Sequence, residues 1–342
     1  MSFKYRNLCV YSVLAILVAI TIACGSTATS TAVISTATQS GSSSASSGSV
    51  TSEIPTDTPA QIEPSATTPV ETYLGDAIQE GDYSITADAV ADPATPGLLY
   101  SAVAGKKLVA IEVVISNVSG DVLNVNPLNA ALLDSDNFVY QPDTGVVDNE
   151  LSAVSLDPGE QVMGWIAFQI PTKSTAAILK YSFDVLETQI VKVNLAKAPV
   201  GHQPITVSIV PKVPASKVGD VITQSGYSIS ISDIKDPATP GLLYTAKKGY
   251  RLVAVEVTFS NVSGADELLV NPLSAYVVDS NGFVYNAELG GVDDEISSAN
   301  LATGEKAQGW ISFTVPKDAK LSYLKYETGV FSGEYISVGL SK

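Results

Sequence analysis

The chain of 342 residues has only two cysteines, Cys9 and Cys24, and both lie in its first 24 residues. Beyond them no disulfide framework, thiolate nucleophile or cysteine metal site can be built. Histidine is scarcer still. His202 is the single copy, so neither a Ser-His-Asp triad in each repeated part nor a His-rich zinc site is available. Basic residues are few: 19 Lys and Arg stand against 35 Asp and Glu, for a net charge of −16. That surface repels phosphate backbones, which excludes nucleic acid as a partner. No Gly-rich phosphate loop opens a helix, and no long 3.6-residue period occurs. A carboxylate pair could support glycoside hydrolysis, but no diagnostic pair stands out. An enzyme is not expected.

What is present begins with an export segment. Lys4 and Arg6 precede an almost wholly apolar run from Leu8 to Ala23, and Ala23-Cys24-Gly25 follows. Residues 1–23 resemble a bacterial lipoprotein signal, with Cys24 as the lipidated first residue of the mature chain. Thr21 departs from the aliphatic residue usual in such signals. The alternative is an uncleaved single-span anchor, although about 16 apolar residues fall short of the roughly 20 a spanning helix needs. Residues 24–72 are rich in Ser, Thr, Ala and then Pro, including the run Ser40–Ser49. They cannot bury enough surface to offset chain entropy and read as a disordered stalk, with a span of roughly 40 Å as a flexible coil.

The rest of the chain is one module written twice. Asp92-Pro93-Ala94-Thr95-Pro96-Gly97-Leu98-Leu99-Tyr100 recurs letter for letter as Asp236–Tyr244. The period of about 145 residues is domain-sized rather than solenoid-sized. Residues 73–197 form the first module, 198–217 a Pro-rich linker and 218–342 the second module. In each, the apolar period is two. Val109, Ile111, Val113 and Ile115 alternate with Leu108, Ala110, Glu112 and Val114, as Val253, Val255, Val257 and Phe259 do with their neighbours. That predicts a half-buried antiparallel strand. Turns follow at Asn117–Gly120 and Asn261–Gly264, then a hairpin about Ser135-Asp136-Asn137 or Ser280-Asn281-Gly282. The linker's Ile205–Val210 alternates too and could add a short strand. Many short strands with regular turns predict two tandem antiparallel β-sandwiches.

Three landmarks carry a resemblance. They are the strand ending in Asn-Val-Ser (Val109–Ser119, Val253–Ser263), the Phe-Val-Tyr hairpins, and the Gly-Glu-x-x-x-Gly-Trp-x-x-Phe-x-x-Pro run at Gly159–Pro171 and Gly304–Pro316. Pro158 precedes the first run; Thr303 replaces it in the second. The modules resemble the bacterial DUF4352 type, a family of unknown function related to the mycobacterial MPT63-like immunoglobulin-fold antigens. The resemblance implies an all-β, immunoglobulin-like fold, commonly carried on exported lipoproteins.

Candidate sites follow from the inventory. Asp134, Asp136, Asp143, Asp148 and Glu150, with Asp279, Asp293, Asp294 and Glu295 in the second copy, offer hard oxygens for Ca²⁺, or simply solvate turns. No other cofactor is expected. Trp165 and Trp310 alternate onto the more polar strand face. Either they are open for recognition, or the repeated Pro-rich loop folds over them. That loop ends in Leu98, Leu99 and Tyr100, or Leu242, Leu243 and Tyr244. These residues either pack as they enter a strand or form a preformed contact ridge. The reading that results is an exported, lipid-anchored surface protein with a non-catalytic binding or adhesion role toward an envelope protein or polysaccharide. A structural spacer, an envelope-assembly component and a hydrolase accessory module are the alternatives.

Overall fold

A computed structural model describes residues 71–97, 100–183, 190–242, 244–245, 247–264, 267–329 and 334–341. The export segment, Cys24, nearly all of the stalk, Leu98, Leu99 and Leu243 lie outside the described residues. The first module runs β1 (Ala77–Glu80), β2 (Tyr83–Ala91), β3 (Lys106–Asn117), β4 (Leu123–Val125), β5 (Ala130–Asp134), β6 (Val139–Tyr140), β7 (Pro142–Asp143), β8 (Val154–Leu156), β9 (Gln161–Pro171), β10 (Ala176–Ser182) and β11 (Ile190–Asn194). The second repeats this as β12 (Val221–Gln224), β13 (Tyr227–Lys235), β14 (Tyr250–Asn261), β15 (Leu268–Val270), β16 (Ala275–Asp279), β17 (Val284–Glu288), β18 (Ala299–Leu301), β19 (Lys306–Pro316), β20 (Leu321–Glu327) and β21 (Tyr335–Gly339).

In the first module one sheet has the order β1-β2-β3-β9-β7 and the other β11-β10-β5-β6, with β4-β8 as a separate ribbon. The two inner faces meet in a core that includes Ile85, Val109, Ile111, Phe168, Leu132, Leu179 and Tyr181. In the second module β17 pairs with both β16 and β19, so its two sheets join into one of eight strands. The difference traces to one residue. Pro142 sits where the second copy has Ala287, and proline supplies no N–H to a ladder. The β6–β7 stretch is therefore split, whereas β17 runs through.

The β3 pattern departs from simple alternation. Leu108, Val109, Ala110 and Ile111 are all buried, because the Pro-rich loop covers the outer face at that end. The loop is tied down by Ala94 N to Leu108 O (2.8 Å) and Gly97 N to Val146 O (2.7 Å). Ala238 and Gly241 repeat the arrangement in the second copy. Asn117 and Asn261 close the long strands from inside. The Asn117 amide donates to Asp121 O (2.7 Å) and Leu156 O (2.8 Å), while its oxygen accepts from the Ser119 amide and hydroxyl. The Asn-x-Ser string is thus turn chemistry.

Ile205–Val210 forms no strand, contrary to its alternation. The linker instead follows the modules' surface. Asp76, fully buried, accepts from the amides of Tyr73 (2.8 Å) and Ile205 (2.9 Å) and meets His202 Nε2 at 2.8 Å. Further on, Ser216 contacts Ser337 and Gly339.

Candidate functional site

The sandwiches meet along a buried seam. The outer face of the β16–β17–β20–β21 region carries Tyr276, Val278, Val284 and Tyr323, and these belong to the same apolar cluster as the first module's core. Lys325 lies among them with no exposure, facing an equally buried Glu160 from the turn before β9. Its ammonium contacts Glu160 Oε2 and donates to Ser155 O at 2.9 Å, with Asp157 at 3.8 Å. The Tyr323 hydroxyl donates to Glu160 Oε1 at 2.6 Å, and the Asp157 amide to Oε2 at 2.8 Å. Burial pushes the Glu160 carboxyl above its ordinary range even beside Lys325, as expected when desolvation outweighs attraction. Backbone completes the seam. Gln161 N donates to Gly282 O (2.8 Å) and Gln161 Nε2 to Asn281 O (3.0 Å). A Cβ on Gly282 would fall on the carbonyl of Gly159, so only glycine lets the two backbones approach this closely.

Beside the seam lies a cleft of about 380 Å³ shared by both modules. Glu112, Asn149 and Met163 line one wall, and Lys247, Tyr250 and Glu288 the other. It continues into a second hollow of about 570 Å³ bounded by Asp148, Tyr244 and Thr314. Lys247 reaches across to Asn149 Oδ1, and Glu288 accepts from Thr314 Oγ1 at 2.8 Å. Burial, then Asp88, raises the Glu112 carboxyl; burial, then Glu112, raises the Tyr250 hydroxyl. Polar donors and acceptors thus converge on a partly desolvated hollow at a domain joint, a common place for a ligand.

The residues singled out from sequence are placed differently. Trp165 is half-buried against Tyr100, Ala94, Leu108 and Val146. Trp310 is half-buried against Tyr244, Ala238 and Leu252, with Lys235 Nζ 3.8 Å over its ring. Ala94 and Ala238 of the Pro-rich loop belong to the clusters the two rings pack against, and each ring keeps part of its surface exposed. Gly164 and Gly309 explain the Gly-Trp pair: a Cβ at either would strike backbone of Leu151 or Ile296, where the preceding loop crosses the strand. Of the loop ends, Tyr100 and Tyr244 pack inward, and Leu242 is exposed.

The nine acidic residues are not gathered into one cage. Among the described residues no three His, Cys, Asp or Glu side chains converge as a metal site would require. Asp134 accepts from the amides of Asp136 and Phe138 and from the Tyr140 hydroxyl, and Asp279 does the same with Asn281, Phe283 and Tyr285. Glu150 is taken by the amides of Gly145, Val146 and Val147. Glu295 is taken by Gly290, Gly291, Val292 and the Ser312 hydroxyl. Their lone pairs organise turns. Asp136, Asp143, Asp148, Asp293 and Asp294 remain in or beside those turns.

Comparison with known proteins fits this duplicated geometry. The DUF4352 family, a domain of unknown function, matches residues 72–191 and again 201–336. The chain belongs to the DUF4352 family. Among solved structures, MPT63, a secreted protein from Mycobacterium tuberculosis, aligns at 18% identity and TM-score 0.29, covering 36% of this chain and 95% of its own. The yjhA protein of Bacillus subtilis aligns at 17% identity and TM-score 0.30, covering 37% and 99%. The ycdA protein of Bacillus subtilis aligns at 13% and 0.30, covering 35% of this chain and 38% of its own. No curated protein matches the chain.

Sequence reasoning missed the seam and the cleft. A signal existed. Outward positions of the closing sheet are aromatic in the second copy only: Tyr276, Tyr323 and Tyr335 stand where the first has Ala131, Ile178 and Ile190.

Proposed function

We propose that this protein is an exported, membrane-anchored surface protein whose two DUF4352 modules act together as one non-catalytic binding unit for an envelope polysaccharide or protein. The observation that carries the reading is the polar cleft between the modules, held by the buried seam in a fixed shape. Preorganisation of that kind lowers the entropic cost of binding. Tyr250 offers an aromatic wall, while Asn149, Glu112, Glu288 and Lys247 offer hydrogen bonds on a scale suited to a few sugar rings. The reading requires no cofactor. The membrane attachment rests on Ala23-Cys24-Gly25 and the apolar run before it; Cys24→Ala should abolish lipid labelling and release from the signal.

The test is titration of soluble cell-wall glycan fragments into the chain from residue 25 onward. Binding should weaken at least about tenfold in Tyr250→Ala and Glu288→Ala. Absence of binding to any fragment, or binding indifferent to both changes, would favour the second reading. That reading is a rigid spacer, supported by the linker's attachment at Asp76 and Ser216.

A further inference from the structure

The duplication provides an internal control for one exposed surface. In the second module the outer face of β16, β20 and β21 is covered by the first module's turn, with Glu160 on Lys325. The first module carries the same face on β5, β10 and β11, and there Lys192 is exposed and Lys180 half-buried, while Leu133 is buried. Lys180 is the counterpart of Lys325, Leu133 of Val278, Val139 of Val284, Ile178 of Tyr323 and Ile190 of Tyr335. Val139 is 53% exposed, Ile190 50% and Phe138, beside them, 64%.

The charge on this face is unbalanced. Lys180 and Lys192 are directly opposite each other across the β10–β11 pair and therefore share a face. Like charges at that spacing repel. Among the described residues neither has an ion-pair or hydrogen-bond partner. In the second module Ser337 replaces Lys192, so a single lysine faces Glu160 and, at 3.8 Å, Asp157. Two lysines without a partner among the described residues, beside the exposed Val139 and Ile190 and the half-buried Ile178, on a chain of net charge −16, call for an anionic partner with an apolar footprint.

We infer that this face is the docking surface for another protein that presents two carboxylates from a tight turn, as Asp157 and Glu160 are presented to Lys325. The occupant is not a second copy of this chain. Its free end carries Glu305, but Ala302 stands in place of Asp157 and Lys306 in place of Gln161. The open face also carries Asn137, at φ 66°, where the covered one has Gly282. Since a Cβ at Gly282 would overlap the incoming backbone, Asn137 blocks an identical approach. These three differences exclude head-to-tail polymerisation, which a heterologous contact of this type would otherwise propagate.

The proposal is tested on the chain from residue 25 onward by sedimentation velocity. The natural sequence should stay monomeric. Asn137→Gly/Ala302→Asp/Lys306→Gln gives the free end both carboxylates and clears the block. It should associate with rising concentration, and lose association when Lys180→Glu is added. Asn137→Gly/Ala302→Asp, which clears the block and adds the second carboxylate but keeps Lys306, should associate more weakly, and it serves if the triple variant misfolds by circular dichroism. Self-association of the natural chain that Lys180→Glu abolishes would overturn the assignment of occupant. Folded variants that remain monomeric throughout would overturn the docking surface itself, without bearing on the cleft.

Discussion

Truncating Lys325 tests whether the two modules behave as one body. Its buried ammonium serves Glu160 and the Ser155 carbonyl, and the Tyr335 ring lies 4.2 Å away. Lys325→Ala leaves the Glu160 carboxylate in the seam with only the Tyr323 hydroxyl and the Asp157 amide. Removing one partner of a buried pair costs about 3–5 kcal/mol, because the other charge is stranded. Glu160→Ala strands the ammonium and should cost a similar amount. The double variant strands neither charge, so it should be milder than the two singles together by about 2–3 kcal/mol. Each module holds one tryptophan. Trp165→Phe therefore leaves Trp310 to report the second module, and Trp310→Phe leaves Trp165 to report the first. In guanidinium, both backgrounds should show one shared transition for the natural seam and separate transitions after Lys325→Ala. A Lys325→Ala cost below the surface value of about 0.5 kcal/mol, with the modules still unfolding together, would refute the reasoning.

Further outcomes follow from single residues. Burial alone would raise the Asp76 carboxyl, but bonds from His202 and the Ile205 and Tyr73 amides outweigh it and hold it below the ordinary 3.8. The stability of the linker's attachment at Asp76 is therefore present above pH 3.8 and lost as pH falls through the lower folded value. Exchange of the Ile205 amide should accelerate only there, and at every pH in Asp76→Asn; exchange that does not change through that range would refute the assignment to Asp76. Tyr100 has a buried hydroxyl with no partner among the described residues, whereas the Tyr244 hydroxyl meets Thr314 Oγ1 at 3.0 Å. Tyr100→Phe should be neutral to about 1 kcal/mol stabilising, and Tyr244→Phe should cost about 1 kcal/mol, in thermal melts. Asn117→Ala leaves Leu156 O without its buried donor and should cost about 1–3 kcal/mol; a loss below a few tenths would show that water substitutes freely.

Strand identity was legible because period-two alternation reflects side chains that point to opposite faces. The Pro-rich loop's role was legible only as one of two readings, since Leu108 and Ala110 look like an open outer face until the loop lies on them. The acidic candidates stayed open to two readings for a physical reason. A carboxylate that organises backbone amides, as Glu150 and Glu295 do, has the same sequence signature as a cation ligand. Glu160 and Lys325 were illegible individually, because each has an identical counterpart, the exposed Glu305 and the half-buried Lys180, that makes no ion pair among the described residues. Only the difference between copies carries the information.

That difference explains how a duplicated module avoids indefinite stacking. Two identical modules with complementary end and face would join at every step, because the contact that links the first to the second also links the second to the next. Here the contact is made once. The aromatic residues that widen the covered face, Tyr276, Tyr323 and Tyr335, occur only in the second copy, and the carboxylate beside Glu160, Asp157, only in the first. Gly282 allows close approach on one face, while Asn137 denies it on the other. Each change is small, yet all act on the same geometric step, the approach of a turn to a sheet face. On this reasoning the tandem pair is closed to further copies of itself, while the first module's face keeps two lysines that have no ion-pair partner among the described residues.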